Sequence, residues 1–382
     1  MKKYITILCL ILLLILSPYH TIKSLAAETP SNLSAKAAIL MDGTNQRVLF
    51  GKNEREELPM ASTTKIMTCL YALEHGNLND IVTFSENAAS APKVHLGAAA
   101  GSQFLLSDLL YALMLESYND AAVAIAEHIG GSVEEFCAAM TEEARAFGCW
   151  QTSFETPNGL DNDDHYTTCY DLAILTCRAL SNENFRRIIR EPSYTIKEIG
   201  SGTAYTLNNK DAFLTSYPGA IGVKTGFTGK AGYCFVGAVE TDDRLLISVV
   251  LGSGWPPNRS YKWKDTRKLM DYGMENYEKV TLRPGEEVPG QLPVVHGQAL
   301  ICDCVVPENV SLLLREDEKA VCTTDIPSLL EAPVRKGDVI GTVTLSIDGE
   351  LYRTYPVTAA ATVRRINYSW CFRRIVRKYF FG

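Results

Sequence analysis

The sequence predicts an α/β fold, an antiparallel sheet carrying a helical lobe, followed by a small all-β domain. Three observations lead there. Strand-like segments lie near both ends of residues 27–278, helical periodicity fills the space between them, and beyond Tyr277 short apolar runs alternate with Pro and Gly. The first strand pair is the apolar run 37–41, the turn Asp42-Gly43-Thr44-Asn45, and the return from Arg47 to Phe50, a hairpin pattern. Segments 105–116, 121–129, 133–147 and 169–180 repeat apolar residues at helical spacing. Segments 222–228, 233–240 and 245–252 then read as strands. Strands from both ends that enclose a helical insertion make one domain, with a cleft between sheet and lobe as the natural site.

After a helix-like stretch over 266–277, residues 279–363 carry Pro284, Gly285, Pro289, Gly290 and Pro293 between short apolar runs. No catalytic constellation occurs there, and a spacer or pedestal is the expected role. In residues 364–382, Tyr368, Phe372, Ile375, Val376 and Tyr379 fall within roughly a 100° arc of an ideal helix. Arg373, Arg374, Arg377 and Lys378 lie opposite, so this helix is expected to lie in an anionic membrane surface, too charged to span it. At the other end, Lys2 and Lys3 precede an uncharged apolar run, and Ser24 and Ala26 suit a cleavage site. Residues 1–26 therefore read as a signal peptide of an exported chain.

The net charge of −7 hides an acidic body and a tail with Arg364, Arg365, Arg373, Arg374, Arg377 and Lys378 but no acidic residue. An acidic body argues against nucleic acid as a partner, since phosphates would be repelled. Of the 11 cysteines, Cys69, Cys137, Cys177 and Cys234 sit in apolar helix-like or strand-like settings, where a thiol behaves as a small hydrophobe. Cys302 and Cys304 are too close to bond each other comfortably, and no metal-type pair with histidines follows. Mostly free thiols are expected, with neither metal nor cofactor.

Ser62-Thr63-Thr64-Lys65 opens the amphipathic stretch Ile66, Met67, Leu70, Leu73, which puts Ser62 and Lys65 on one helical face. A serine hydroxyl needs a base to take its proton. A lysine can be that base only with a lowered pKa, and burial and a helix N-terminus both lower it. The same helix start offers N–H groups to an oxyanion. Ser117-Tyr118-Asn119 falls between two helical stretches, where a serine can relay a proton and an amide can bind a peptide group. Lys224-Thr225-Gly226 lies on an expected strand, where cation and hydroxyl hold a carboxylate while glycine admits substrate to the backbone. Each motif is weak alone; their order and spacing make them strong together.

With this triplet the sequence resembles the penicillin-recognising serine enzymes, and within them the low-molecular-mass penicillin-binding proteins that act as D-alanyl-D-alanine carboxypeptidases. The narrower match rests on residues 59–68, on Asn119-Asp120-Ala121-Ala122, on Pro157-Asn158-Gly159-Leu160-Asp161, on His165-Tyr166-Thr167-Thr168 before Asp171-Leu172-Ala173, and on 222–228 with Ala231-Gly232-Tyr233. The resemblance implies a β-lactamase/transpeptidase-like fold and a peptidoglycan pentapeptide substrate, with β-lactams as inhibitors. Ser62 would attack the carbonyl between two D-alanines and Lys65 would accept its proton. Ser117 would pass a proton to the leaving D-alanine, and Asn119 would orient the acyl side. Lys224, Thr225 and Gly226 would receive the terminal carboxylate, and the N–H groups of Ser62 and Phe227 would form the oxyanion hole before water releases the acyl group.

Relatives more often carry a small residue where Tyr118 stands, and some carry histidine where Phe227 stands, which bears on substrate access and pH dependence. His165 reads as a structural residue near the helix start at Thr168 and Asp171. Two competing functions share the triplet. A β-lactamase of the large glutamate-dependent class needs a carboxylate for deacylation, for which Glu155 is the only nearby candidate, and a non-catalytic penicillin sensor or wall-binding module would stay acylated. Intact hydrolytic motifs and the match around Pro157 favour the carboxypeptidase.

Overall fold

The computed structural model describes residues 29–380, so the signal segment expected over residues 1–26 lies outside the described residues. Strands β1 (Ala37–Asp42) and β2 (Arg47–Lys52) form the expected hairpin. The helical lobe follows: α1 (Lys65–His75), α2 (Leu106–Tyr111) with a π-helical turn over Ala112–Glu116, α3 (Asn119–Gly130), α4 (Val133–Ala146), α5 (Cys169–Leu180) and α6 (Glu183–Arg190). A ribbon of Ser193–Lys197 with Ala204–Asn208 and a short helix, Phe213–Ser216, lead into β3 (Ala220–Thr228), β4 (Gly232–Glu240), β5 (Leu245–Leu251) and α7 (Tyr261–Asn276).

These five strands make one antiparallel sheet in the order β2-β1-β5-β4-β3. β1 is buried along its whole length, because the sheet is covered on both faces and neither set of alternate side chains meets water. Ala37, Ile39, Met41, Val236 and Val249 pack under the helical lobe, whereas Ala38, Leu40, Phe235 and Val250 pack with Leu269 and Met270 of α7. The helix starts follow capping chemistry. Ser132 accepts from Glu135 N–H at 3.1 Å, and Thr168 accepts from Asp171 N–H at 3.0 Å. α7 begins five residues before the expected 266, since Tyr261-Lys262-Trp263-Lys264 lacks apolar periodicity yet packs its Lys262 and Trp263 on the sheet side.

The second domain has strands β6 (Glu278–Leu282), β7 (Gln291–Val295), β8 (Ile301–Val305), β9 (Val310–Leu314), β10 (Ala320–Asp325), β11 (Leu330–Glu331), β12 (Val339–Ile347) and β13 (Glu350–Ala359). β6 pairs with β9, and the others form a six-stranded sheet in the order β10-β12-β13-β8-β7-β11. The first hairpin grips this domain. Arg47 donates to the Leu313 carbonyl and pairs with Glu318 at 2.5 Å, while Leu313 itself enters the core formed by Leu40, Leu49 and Tyr277. Burying that leucine contributes roughly 2 kcal/mol to the junction.

All ten described cysteines carry free thiols. The last described element is α8 (Tyr368–Phe380), none of whose residues is buried. Tyr368, Phe372, Ile375 and Tyr379 are exposed on it. Among the described residues no helix is long and apolar enough to cross a membrane.

Candidate active site

Ser62 stands on a 3-10 turn, Ala61–Thr64, that runs directly into α1. The preceding Ala61 has φ +50°, a left-handed conformation costly for a residue with a Cβ and found where surrounding structure enforces it. Thr63 donates to the Met60 carbonyl at 2.6 Å and Thr64 to the Ala61 carbonyl at 2.8 Å, which fixes the turn. Lys65 is wholly buried, and its Nζ reaches Ser62 Oγ at 3.0 Å, Asn119 Oδ1 at 2.9 Å and the Asn158 carbonyl at 2.5 Å.

Ser62 Oγ also lies 3.4 Å from the Asn158 carbonyl, so the other partners of Lys65 Nζ bear on where the Ser62 proton can go. The Asn158 carbonyl can only accept, and Asn119 is oriented with its amide N–H on the Pro92 carbonyl at 3.1 Å, so its oxygen also accepts. A neutral amine spends its two N–H groups on these acceptors and leaves its lone pair for Ser62. Burial, reinforced by the charge of Lys224 and opposed by Asp120, holds Lys65 well below the usual lysine range, favouring that neutral form.

The Asn158 carbonyl is supplied by a loop over residues 154–165 that α1 holds along one face. Besides Lys65, Thr68 donates to the Pro157 carbonyl at 2.6 Å, and Thr64 meets His165 Nε2 at 2.8 Å. His165 Nδ1 accepts from the N–H groups of Glu155 at 3.0 Å and Thr156 at 3.4 Å, so the ring proton sits on Nε2 and is donated to Thr64. Gly159 lies against the Ala61–Ser62 peptide with φ +86°; a Cβ there would fall 2.0 Å from the Ala61 carbonyl oxygen. Thr228 on β3 donates to Asp161 at 2.7 Å, tying the loop to the sheet.

Ser117 closes the π-helical turn with φ +68°, and its Oγ is buried without a hydrogen-bond partner among the described residues. Asn119 and Asp120 start α3 and seat the 92–97 segment. Asn119 N–H donates to the Val94 carbonyl at 2.8 Å, and Asp120 accepts from Leu96 and Gly97 N–H groups, both at 2.9 Å.

β3 forms the opposite wall as a free edge of the sheet. Tyr233 spends its main-chain groups on Gly254 and Ser253, on the β5 side of β4. Successive residues of an antiparallel ladder alternate edges, so Phe227, which faces Tyr233, turns its N–H and C=O outward to the cleft. Gly226 lets the strand pass Ser62: a Cβ would be 3.0 Å from Ser62 N, a crowded approach. Lys224 is buried, and its Nζ donates only to the Thr225 carbonyl, at 3.3 Å, among the described residues. Burial pushes Lys224 down to about 7, helped by Lys262 and opposed by Asp211 and Glu116. Thr225 is half-buried and Phe227 exposed.

Residues 23–254 match the family model described as D-alanyl-D-alanine carboxypeptidase, and residues 277–365 match penicillin-binding protein 5, C-terminal domain. The chain belongs to the D-alanyl-D-alanine carboxypeptidase family. D-alanyl-D-alanine carboxypeptidase DacF of Bacillus subtilis is 32% identical over 96% of both chains, and DacA of Haemophilus influenzae is 30% identical over 84% of this chain and 83% of that protein. Among solved structures, penicillin binding protein 5 from Haemophilus influenzae aligns with a TM-score of 0.76 at 27% identity, covering 88% of this chain and 99% of that one. The Streptomyces K15 DD-transpeptidase aligns with a TM-score of 0.60 at 31% identity over 64% of this chain and 98% of that one.

In this carboxypeptidase the structure adds residues that motif reading did not find. The Asn158 main chain, the His165–Thr64 clamp, Asp211 and Lys262 all belong to the site's walls. Lys262 is buried over the Tyr233 and Trp263 rings, and burial, with Arg259, brings it down to about 8. His165 does not serve the Thr168–Asp171 cap, which closes by itself; it clamps the loop to the Ser62 turn. Glu155 is exposed, and its segment offers the site a backbone rather than a buried carboxylate.

Burial drives His165 down from 6.5 to about 4, with Lys65 adding to the effect and Asp161 opposing it. The folded state therefore keeps the ring neutral where the unfolded chain protonates it, so stability present above about pH 6.5 is lost as pH falls toward about 4. The loss is on the order of 3 kcal/mol. His165→Gln, which can still accept and donate, should flatten the melting-temperature slope in that window; an unchanged slope would assign the acid sensitivity elsewhere.

Proposed function

We propose that the carboxypeptidase is a serine-type enzyme that removes the terminal D-alanine of peptidoglycan stem pentapeptides through an acyl-enzyme. Ser62 attacks the carbonyl between the two D-alanines as its proton passes to Lys65. The oxyanion is received by the N–H groups of Ser62 and Phe227. The proton then returns, with Ser117 as relay, to the amine of the departing D-alanine. Asn119 orients the acyl-side peptide, and Lys224 and Thr225 hold the terminal carboxylate where Gly226 allows close approach. Water attacks the ester next, with Lys65 again taking a proton. A β-lactam carbonyl enters the same path and halts at the ester.

The observation that carries this reading is Lys65 Nζ, with two fixed acceptors and Ser62 Oγ as its third neighbour at 3.0 Å. The test is product analysis on purified pentapeptide beside labelling with fluorescent penicillin. Wild type should release D-alanine, and Ser62→Ala should neither release it nor label. A labelled Ser62→Ala protein would overturn the nucleophile assignment.

The same reading places the enzyme outside the cytoplasm, on the outer face of the cytoplasmic membrane, with α8 as an interfacial anchor. Supporting it are the exposed apolar residues of α8 together with Arg373, Arg374, Arg377 and Lys378 on the same helix. Deleting residues 364–382 should leave full activity on soluble peptide but abolish co-sedimentation with anionic vesicles. Undiminished binding by the truncated enzyme would transfer the role to the β-rich domain.

A further inference from the structure

Asp211 has no task in the reaction above. It is buried just before the short helix Phe213–Ser216, where its Oδ1 accepts from Phe213 N–H at 2.8 Å and its own N–H donates to Asn209 at 3.0 Å. Its other oxygen, Oδ2, is buried with no partner among the described residues, an arrangement proteins seldom leave without a use. The short helix packs against β3. There Lys224 has the complementary deficit: a buried ammonium with three donors and one long bond, to the Thr225 carbonyl.

The groups that bear on Lys224 come from every wall. Lys262 of α7 lowers Lys224, Arg259 just before that helix lowers Lys262, and Lys224 in turn lowers Lys65 of α1. Two carboxylates in the same walls are already used. Glu116, at the end of the π-helical turn, is held by Lys210 at 3.0 Å and by Asn208 N–H at 2.8 Å. Asp120, at the start of α3, accepts from three main-chain N–H groups. Among the described residues of these walls, Asp211 is the carboxylate with an oxygen to spare, beside two buried lysines, Lys224 and Lys262.

We propose that Asp211 is a positioning residue whose free carboxylate oxygen is the counter-ion that keeps Lys224 in the ammonium form, ready for the substrate's terminal carboxylate. The inference rests on the reading of Lys224 as the carboxylate-binding cation. Burial raises the Asp211 carboxyl to about 6 and lowers Lys224 to about 7, so both are charged between about pH 6 and about pH 7, and at higher pH the anion still favours the protonated fraction of Lys224. Removing the anion lowers the Lys224 pKa further, which moves the loss of carboxylate recognition to lower pH. Below about pH 6 the native carboxyl is itself neutral, and the difference from an Asn variant disappears.

The test compares kcat/KM against pH for a soluble acyl-D-alanyl-D-alanine peptide and its C-terminal methyl ester, in Asp211→Asn, Asp211→Glu and Lys224→Ala. Asp211→Asn keeps the acceptor for Phe213 N–H. On the free acid at about pH 8 it should lose about tenfold, mainly in KM, the equivalent of about one unit in the Lys224 titration. It should match wild type near pH 5.5, about half a unit below the Asp211 midpoint, and handle the ester normally at every pH. Asp211→Glu should restore the alkaline limb. An unshifted limb in Asp211→Asn, or equal losses on acid and ester, overturns the inference. Should Asp211→Asn fail to melt cooperatively, Asp211→Glu against Asp211→Gln makes the same charge comparison. Lys224→Ala separates the two levels: equal losses on acid and ester sink the Lys224 reading itself, whereas a selective loss beside a silent Asp211→Asn sinks the counter-ion alone.

Discussion

Lys65→Arg should reduce penicillin acylation by about 10²–10⁴-fold, the scale of a lost general base, although the substitution keeps the positive charge. A guanidinium could still donate to Asn119 Oδ1 and the Asn158 carbonyl, the acceptors Lys65 uses at 2.9 and 2.5 Å. It has no lone pair to offer Ser62 and does not deprotonate at working pH. The pocket that drives a proton off lysine by burial, with Lys224 near by, cannot do so for arginine. The variant should therefore also melt earlier, because a permanent cation is held in a site built for a neutral amine. Second-order acylation rates measured beside melting curves separate the two effects. Wild-type acylation in Lys65→Arg would remove Lys65 from the role of base.

Gly159→Ala should be nearly as damaging, without touching any group that reacts. The added Cβ would fall 2.0 Å from the Ala61 carbonyl oxygen and 2.9 Å from Ser62 N, and the residue sits at φ +86°. Backbone lies on both sides of the clash, so no side chain can rotate away. The left-handed conformation costs about 1–2 kcal/mol with a Cβ, and overpacking adds about 1–3 kcal/mol. Relief requires the 154–165 loop to lift from the Ser62 turn, carrying the Asn158 carbonyl away from Lys65. Acylation and stability should fall together. A Gly159→Ala protein with native melting temperature and native labelling would show that the loop is not the rigid floor described above.

These two positions mark where sequence reading succeeds and where it stops. The pairing of Lys65 with Ser62 was legible because the two lie one helical turn apart, and helical spacing is written in the chain. The five-stranded sheet was legible from apolar runs such as Ala37 to Met41, and α5 from its periodicity and its Thr168 cap. The Asn158 contribution was not, because a main-chain carbonyl leaves no trace in residue identity. Asp211 and Lys262 sit in segments without a motif or a period, and only the packing of the Phe213–Ser216 helix and α7 onto the sheet brings them to Lys224. His165 looked structural, and the structure gives it a structural clamp, but on Thr64, far from it in sequence. The direction of the Phe227 N–H needed the bonding of Tyr233 to be known.

The seating of β1 between β2 and β5 has a kinetic consequence. Ala38 pairs with Val250 and Leu40 with Ser248, so the middle of the sheet joins the first and last strands of the catalytic fold. Closing so long a loop is entropically costly, and contacts of this separation slow folding. A chain emerging N-terminus first can form the β1–β2 hairpin and single helices of the lobe, but the hydrophobic face of β1 stays open until residues 245–251 arrive. Until then β1 has only β2 beside it, and the sheet cannot close. The cleft is therefore completed late: its β3 wall joins β1 only through β4 and β5, the last strands of the sheet to be made.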